Sequence, residues 1–456
     1  MKKVHFIAVG GAVMHNLAIA LHKKGYRVTG SDDEIFEPSR SRLAAHELLP
    51  SEQGWDENKI TPDLDAVVLG MHAHADNPEL QKARQLELKI YSVPEYLYEQ
   101  TRDKKRIVVG GSHGKTTTTS MIMHVLRENG FAFDYMVGAQ VEGFHTMVGL
   151  TDAPIAVFEG DEYLSSSLDP RPKFHLYHPH IAILTGIAWD HINVFPTFEN
   201  YLEQFSKFIG MIEPGGNLVY FEGDDHLSGL ASKAGNNIEK QTYTTHPHAV
   251  ENGRTFLING DMKYPCLVFG EHNLQNISAA KAVCLMSGVT EEGFYRAISS
   301  FSGASKRLQL LAESKSTSVF LDFAHSPSKL KATTRAVRAQ FPGRKLVACM
   351  ELHTFSSLKK EFLPQYAGTM KDADKAFVYY SPETVKHKRL EEITPAQVAA
   401  AFGGDNVSVF TDPEELARQL KTIDWKNASL LLMSSGNFSG IEFKSFAGEI
   451  IALAGE

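Results

Sequence analysis

Residues 110–118 read GGSHGKTTT, and the way they fold decides how the rest of the chain is organised. The apolar run RIVVGG (106–111) leads into them and reads as a buried strand. TTTTSMIMHVLRENG follows, with apolar residues at helical spacing and Gly130 as a stop signal. A glycine-rich turn between such a strand and helix is the setting of a phosphate loop. The full Walker pattern needs glycine at position 109, where this chain has valine, so the loop is one residue short. The physics survives the shortening. Gly111 and Gly114 let the backbone turn and leave room for its N–H groups to face phosphate. A helix starting near Lys115 adds its positive end. Lys115 then suits the β- and γ-phosphates of ATP, and the Thr116 hydroxyl suits Mg²⁺. Ser112, His113 and Thr117 complete the candidate ATP-binding run. The plain alternative is a glycine-rich turn with an exposed lysine.

Magnesium prefers hard oxygen ligands, with imidazole as an occasional addition. FEGDE (158–162) ends the next strand-like run and carries Glu159, Asp161 and Glu162. GIAWDHINVF (186–195) ends the one after and carries Asp190 and His191. Both sit where an α/β sheet places its ligands, at the carboxyl ends of strands.

Three blocks of alternating strand and helix extend from this centre, and that alternation implies parallel sheets. The first opens with VHFIAV (4–9), GG and a helical pattern to about Lys24; RVTGSD, a helix near 39–47 and DAVVLGM (65–71) follow. The charged stretch YEQTRDKKR (98–106) reads as a boundary. The middle block adds NLVYF (217–221) and the helical EHNLQNISAAKAVCLMSG. The third alternates SVFLDFA (318–324), a helix, KLVACME (345–351), a helix, KAFVYYS (375–381), a helix, NVSVF (406–410), a helix, SLLLMSS (429–435) and a final helix. That pattern predicts a doubly wound sheet of about five or six strands. The fold class expected is α/β in three domains: a Rossmann-like domain over 1–105, a P-loop ATPase domain over 106–303 and a C-terminal Rossmann-like domain over 304–456.

Composition narrows the function. The 456-residue chain is 43% apolar and 22% charged, with a net charge of −8 and no long basic run, so nucleic acid is not an expected partner. No stretch approaches the ~20 apolar residues of a membrane span. The apolar start MKKVHFIAVGGAV is followed at once by a second strand pattern and reads as a buried strand rather than a leader. Three cysteines, with no Cys-x-x-Cys, fit a reducing, cytoplasmic compartment.

GSHGKTT, EGDE, WDH, EHNLQN, SKR and LDFAHSP occur in that order over nearly the whole chain, and together they resemble the Mur ligase family, the ATP-dependent ligases of bacterial cell-wall precursors. The resemblance implies the three domains above, with ATP and Mg²⁺ as cofactors. It implies that Lys115 and Thr116 bind ATP and Mg²⁺ and that Glu159 and His191 hold a second Mg²⁺. Asn273 and Asn276 match the family's adenine-side asparagines. Arg307 matches an arginine that reaches ATP, Asp322 an aspartate near the ATP ribose, and His325 a substrate-contacting histidine. VHFIAVGGAVMHNLA resembles a UDP-sugar loop, which makes Gly10, Gly11 and Asp32 candidates, with Asn77 in HAHADNPE (72–79) beside them. The glycines of that loop also suit an NAD pyrophosphate, although G-x-G-x-x-G is absent, since 10–15 read GGAVMH.

The family reaction activates a carboxylate as an acyl phosphate, which an amine then attacks. The expected partners are small molecules, UDP-N-acetylmuramate and a peptide or amino acid, handled by a monomer or weak homodimer. Two branches of the family use that sugar: one adds L-alanine, the other the tripeptide L-Ala-γ-D-Glu-meso-diaminopimelate. The 32-residue step from Glu159 to His191, the segment DEYLSSSLDPRPKFHLYHP and the tail MSSGNFSGI (433–441) resemble the tripeptide branch, with Arg171 and Lys173 as candidate contacts for a peptide carboxylate. His353 stands where that branch tends to carry arginine, and Gln204 and Phe205 stand where other Mur ligases carry a carbamylated lysine. A nucleotide-sensing protein, an NAD-dependent oxidoreductase and a folate polyglutamate ligase are the competing readings.

Overall fold

The computed structural model describes residues 1–189, 194–235, 237–403 and 406–455. It resolves into two compact units, Met1–Thr245 with Gln275–Ile298, and His246–Leu274 with Ser299–Glu456.

In the first unit, strands β1 (Lys3–Ile7), β2 (Arg27–Ser31), β3 (Ala66–Leu69) and β4 (Ile90–Ser92) form a parallel sheet in the order β2-β1-β3-β4. Parallel neighbours need crossovers, and the helices Ala12–Lys23 and Pro78–Gln85 supply them. A second sheet holds β5 (Lys105–Gly110), β6 (Asp134–Met136), β7 (Val148–Gly149), β8 (Ile155–Glu159), β9 (Ile181–Leu184), β10 (Asn217–Phe221) and β11 (Glu239–Tyr243). Its order is β11-β10-β9-β5-β8-β6-β7, parallel except for the β6–β7 pair. Strand β5 is therefore central, with Val109 paired to Glu159 and Gly110 to Leu184. The phosphate loop and the acidic segment after β8 leave the sheet side by side at their carboxyl ends. Chain order reverses at β5, the position where such sheets bind ligands.

The root of β5 is fixed by a buried guanidinium. Arg106 donates to the carbonyls of Tyr177, His178, Thr101, Arg102 and Lys104 and pairs with Glu213 at 3.0 Å. A buried charge is tolerated only when its donors are satisfied in this way.

In the second unit, β12 (His248–Glu251), β13 (Arg254–Asn259) and β14 (Met262–Cys266) form an antiparallel meander. Asn252 and Gly253, with φ of 52° and 74°, make the first hairpin turn. The Asn-Gly dipeptide signals that turn in the sequence, but its flanks lack a clean alternation, and sequence reading places no strands here. Strands β15 (Gln309–Glu313), β16 (Ser318–Asp322), β17 (Lys345–Glu351), β18 (Lys375–Tyr379), β19 (Val407–Phe410) and β20 (Ala428–Met433) form the doubly wound sheet, in the order β15-β16-β20-β17-β18-β19 with only β15 antiparallel.

One expectation fails here. The helix expected between β17 and β18 is replaced by turns and a short 3₁₀ segment, Leu363–Tyr366. Thr354 accepts from the Ser357 N–H at its hydroxyl and from the Ser357 hydroxyl at its carbonyl, which gives the backbone a local alternative to helix. Pro364 then lacks an N–H and disfavours helical geometry in the residue before it.

Candidate active site

The loop after β5 is built on two glycines in the left-handed region. Gly111 and Gly114 have φ of 124° and 80°. A Cβ on Gly111 would lie 2.2 Å from Thr185 Oγ1, and one on Gly114 would lie 2.5 Å from Asn276 Oδ1. The loop is pinned to the end of β9: the Ser112 N–H donates to Gly186 O at 2.9 Å, and the Thr185 hydroxyl donates to the carbonyl of His113. Helix Lys115–Glu128 starts directly on Gly114, so its free N–H groups and dipole face the loop.

Lys115 Nζ donates to Glu162 Oε2 at 2.6 Å and to Gly111 O at 2.7 Å. Burial pulls the ammonium pKa down, but Glu162, Asp161 and Glu159 outweigh it, so the net shift is upward and Lys115 stays charged. Glu162 is fully buried and also accepts from the Tyr201 hydroxyl at 3.1 Å. That hydroxyl shares a 2.8 Å hydrogen bond with Ser112 Oγ, which accepts from the Ala188 N–H. Sequence reading picked out EGDE yet left Glu162 and Tyr201 without a role. A carboxylate three positions beyond a strand end gives no hint that it returns to the lysine of another loop.

The Thr116 hydroxyl donates to Glu159 Oε1 at 2.9 Å, and the Gly138 N–H donates to Oε2 at 2.6 Å. A Cβ on Gly138 would lie 2.8 Å from both carboxylate oxygens, so the carboxylate is held in a close-fitting cradle. A hydroxyl and a carboxylate converging beside a phosphate loop form a hard-oxygen set that suits Mg²⁺. The other expected metal ligand, His191, lies outside the described residues. Among the described residues no group of three His, Cys, Asp or Glu converges as a metal cluster.

Glu159 also lines a cavity of about 260 Å³ that continues past Gly138, Met136 and Tyr177 to Gly11 in the turn after β1 and Val13 at the start of the helix that follows. Gly10 donates its N–H to Asp32 Oδ2 at 2.6 Å, which fixes that turn. Burial, and then the neighbouring Asp33, raises the Asp32 pKa to about 6, while Asp33 moves down as the partner that receives the hydrogen bond. The folded state therefore holds the Asp32 proton more tightly than the unfolded chain. That contribution is complete below the ordinary aspartate value and is lost as the pH rises through about 6. Asp32→Asn is expected to flatten the decline in stability between roughly pH 4 and 6 in urea titrations. An unchanged pH profile would refute the assignment.

Asn77 is used locally: its side-chain oxygen accepts from the Leu80 N–H at 3.0 Å and caps helix Pro78–Gln85. His15 and Asn16 are buried too, bonded to Ser39 Oγ and to the Met147 N–H. Arg171 pairs with Asp169 and Glu95, so its charge is already engaged.

The remaining candidates sit in or at the edge of the second unit. Asp322 ends β16 and accepts from the N–H groups of Leu308 and Ala324 at 2.6 and 2.7 Å. The Arg307 guanidinium lies 4.9 Å from the centroid of the Phe323 ring, and His325 Nδ1 is 2.8 Å from Phe323 O. Asn273 is buried and donates to Phe269 O.

A P-loop sheet that follows one α/β domain along the chain and precedes another defines a class, the multidomain ATP-dependent ligases. Three family models cover the chain: "Mur ligase family, catalytic domain" over residues 3–105, "Mur ligase middle domain" over 109–284 and "Mur ligase, glutamate ligase domain" over 306–436. The chain is 31% identical over 96% of its length to 97% of the UDP-N-acetylmuramate–L-alanine ligase of Limosilactobacillus reuteri. It is 28% identical over 97% of its length to 98% of the UDP-N-acetylmuramate–L-alanyl-gamma-D-glutamyl-meso-2,6-diaminoheptandioate ligase of Haemophilus influenzae. A crystal structure of a murein peptide ligase from Psychrobacter arcticus superposes with a TM-score of 0.65 at 21% identity, covering 100% of this chain and 99% of that one. The chain belongs to the Mur ligase family, whose members are ATP-dependent ligases of peptidoglycan synthesis.

Proposed function

We propose that this ligase joins UDP-N-acetylmuramate to the tripeptide L-Ala-γ-D-Glu-meso-diaminopimelate, at the expense of ATP. The observation that carries the ligase reading is the placement of Lys115 and Thr116 on the phosphate loop, with Thr116 bonded to Glu159, which lines the cavity that reaches the β1 turn. In this reading residues 1–105 bind the sugar nucleotide, 106–303 bind ATP and 304–456 bind the acceptor. Lys115 and the loop N–H groups hold the β- and γ-phosphates. Thr116 and Glu159 would hold Mg²⁺, which supplies charge neutralisation on phosphate oxygens when bound.

The sugar carboxylate attacks the γ-phosphorus, ADP leaves, and the acyl phosphate forms. The acceptor amine then attacks the acyl carbon, loses a proton, and phosphate leaves. The protein's main work is alignment. In the second unit, Asn273, Arg307 and Asp322 are assigned to nucleotide and His325 to acceptor. The tripeptide is favoured over L-alanine by the 32-residue step from Glu159 to His191 and by the resemblance of the segment within it to the tripeptide branch; the Leu164–Pro172 bridge and Ser165 N–H donation to Arg171 O tie that segment locally. L-alanine is the second reading, favoured by the alanine-adding relative at 31% identity.

The test mixes protein, Mg²⁺, ATP and UDP-N-acetylmuramate with L-alanine, with the tripeptide, or with no acceptor. Phosphate release and product mass are measured. Product with the tripeptide alone supports the proposal; product with L-alanine alone moves the chain to the other branch.

A further inference from the structure

Tyr177 is fully buried, and its hydroxyl has no hydrogen-bond partner. A buried donor left unpaired is costly and rare, so such a group calls for an explanation. This one lines the cavity that holds Glu159. Its ring packs on Phe158 with centroids 5.0 Å apart. Burial, reinforced by the Asp161 and Glu159 carboxylates, holds the proton on the phenol, so the group is a donor and not a base.

A second donor stands four residues earlier. Lys173 lines the same cavity and is the only lysine or arginine among its described lining residues. Its ammonium is 2.7 Å from Asp161 Oδ2. Lys173 opens the 3₁₀ turn Lys173–Leu176 and Tyr177 caps it, so one rigid turn sets their spacing.

We propose that Tyr177 and Lys173 are the donor pair that holds the reacting carboxylate of the sugar-nucleotide substrate. The inference rests on the donor substrate proposed above. A carboxylate that enters a cavity walled by Glu159 and Asp161 is repelled unless donors offset those charges. One oxygen accepts from the phenol and the ammonium, and the other is left free to attack phosphorus. The Lys173–Asp161 pair keeps the cation in place before substrate arrives.

The experiment measures binding of two probes by calorimetry to the full chain. One is UDP-N-acetylmuramate; the other is UDP-N-acetylglucosamine, which lacks the lactyl carboxylate. The variants are Tyr177→Phe, Lys173→Met and the conservative Lys173→Arg. Tyr177→Phe and Lys173→Met are expected to weaken the muramate roughly tenfold each, as loss of a charge-assisted hydrogen bond predicts, and to leave the glucosamine within about twofold. Lys173→Arg recovers part of the loss. Tyr177→Phe leaves the melting temperature unchanged or raised, because it deletes an orphan hydroxyl from the apo fold. Equal weakening of both probes, or of neither, overturns the inference. Wild-type protein that binds neither probe overturns the substrate reading, and the inference with it. Wild-type discrimination retained in both variants overturns this inference alone.

Discussion

Lys115→Met is expected to lower the rate of ATP-dependent product formation by about 10³-fold, the upper range for removing one group that stabilises charge in a transition state. The methionine keeps most of the side-chain volume, so the loss is electrostatic. The same change has a second effect that separates it from a simple active-site knockout. Lys115 is paired at 2.6 Å with Glu162, whose side chain is 1% exposed. Breaking a buried pair by removing one partner costs about 3–5 kcal/mol, because the other charge stays buried. Lys115→Met is therefore expected to melt well below the wild type. The double variant Lys115→Met with Glu162→Gln is expected to regain most of that stability and none of the activity. Thermal melts and phosphate release on the four proteins of the cycle measure both terms. Activity in the double variant, or an unchanged melt in the single one, would show that the lysine does not hold this position.

The distinction between what was legible in the chain and what was not follows from the range of the forces involved. The phosphate loop was legible because its determinants are local: a strand, two glycines, a lysine and a helix start within ten residues or so. The place of Glu159 beside the loop was legible because the carboxyl ends of neighbouring parallel strands lie together. The Glu162–Tyr201–Ser112 chain was not, since its members come from three separate segments that only the sheet order β9-β5-β8 brings together. Asn77 carries a second role that its motif does not announce. Its motif suggested a ligand contact, while its position before Pro78 also makes it an N-cap, and the structure uses its side-chain oxygen in that way. Arg171 is similar: its two carboxylate partners, Asp169 and Glu95, come from the fold and are not announced by the loop sequence as a pair. The meander β12–β14 escapes sequence reading because short, largely polar strands with weak alternation carry little pattern, although the Asn252-Gly253 turn is present.

Gly111→Ala is expected to be the most damaging single-methyl change in the phosphate loop. Two costs coincide at this position. A φ of 124° lies where an alanine is strained, at about 1–3 kcal/mol. The added methyl also meets Thr185 Oγ1 at 2.2 Å and the Thr185 backbone nitrogen at 2.8 Å. Backbone cannot swing away, so either the loop or the end of β9 must shift, at roughly another 1–3 kcal/mol. Thr185 is the residue whose hydroxyl donates to the carbonyl of His113, so the shift passes directly into the loop that is proposed to hold phosphate. Gly114→Ala makes the control. Its methyl meets mainly the side-chain amide of Asn276, which can rotate, and its φ of 80° is less extreme. The expected order of stability is wild type, Gly114→Ala, Gly111→Ala. ATP affinity, read by calorimetry, is expected to fall more than tenfold in Gly111→Ala and by less in Gly114→Ala. The reverse order, or full ATP binding by Gly111→Ala, would mean that the loop tolerates displacement and that its N–H groups do not set the phosphate position.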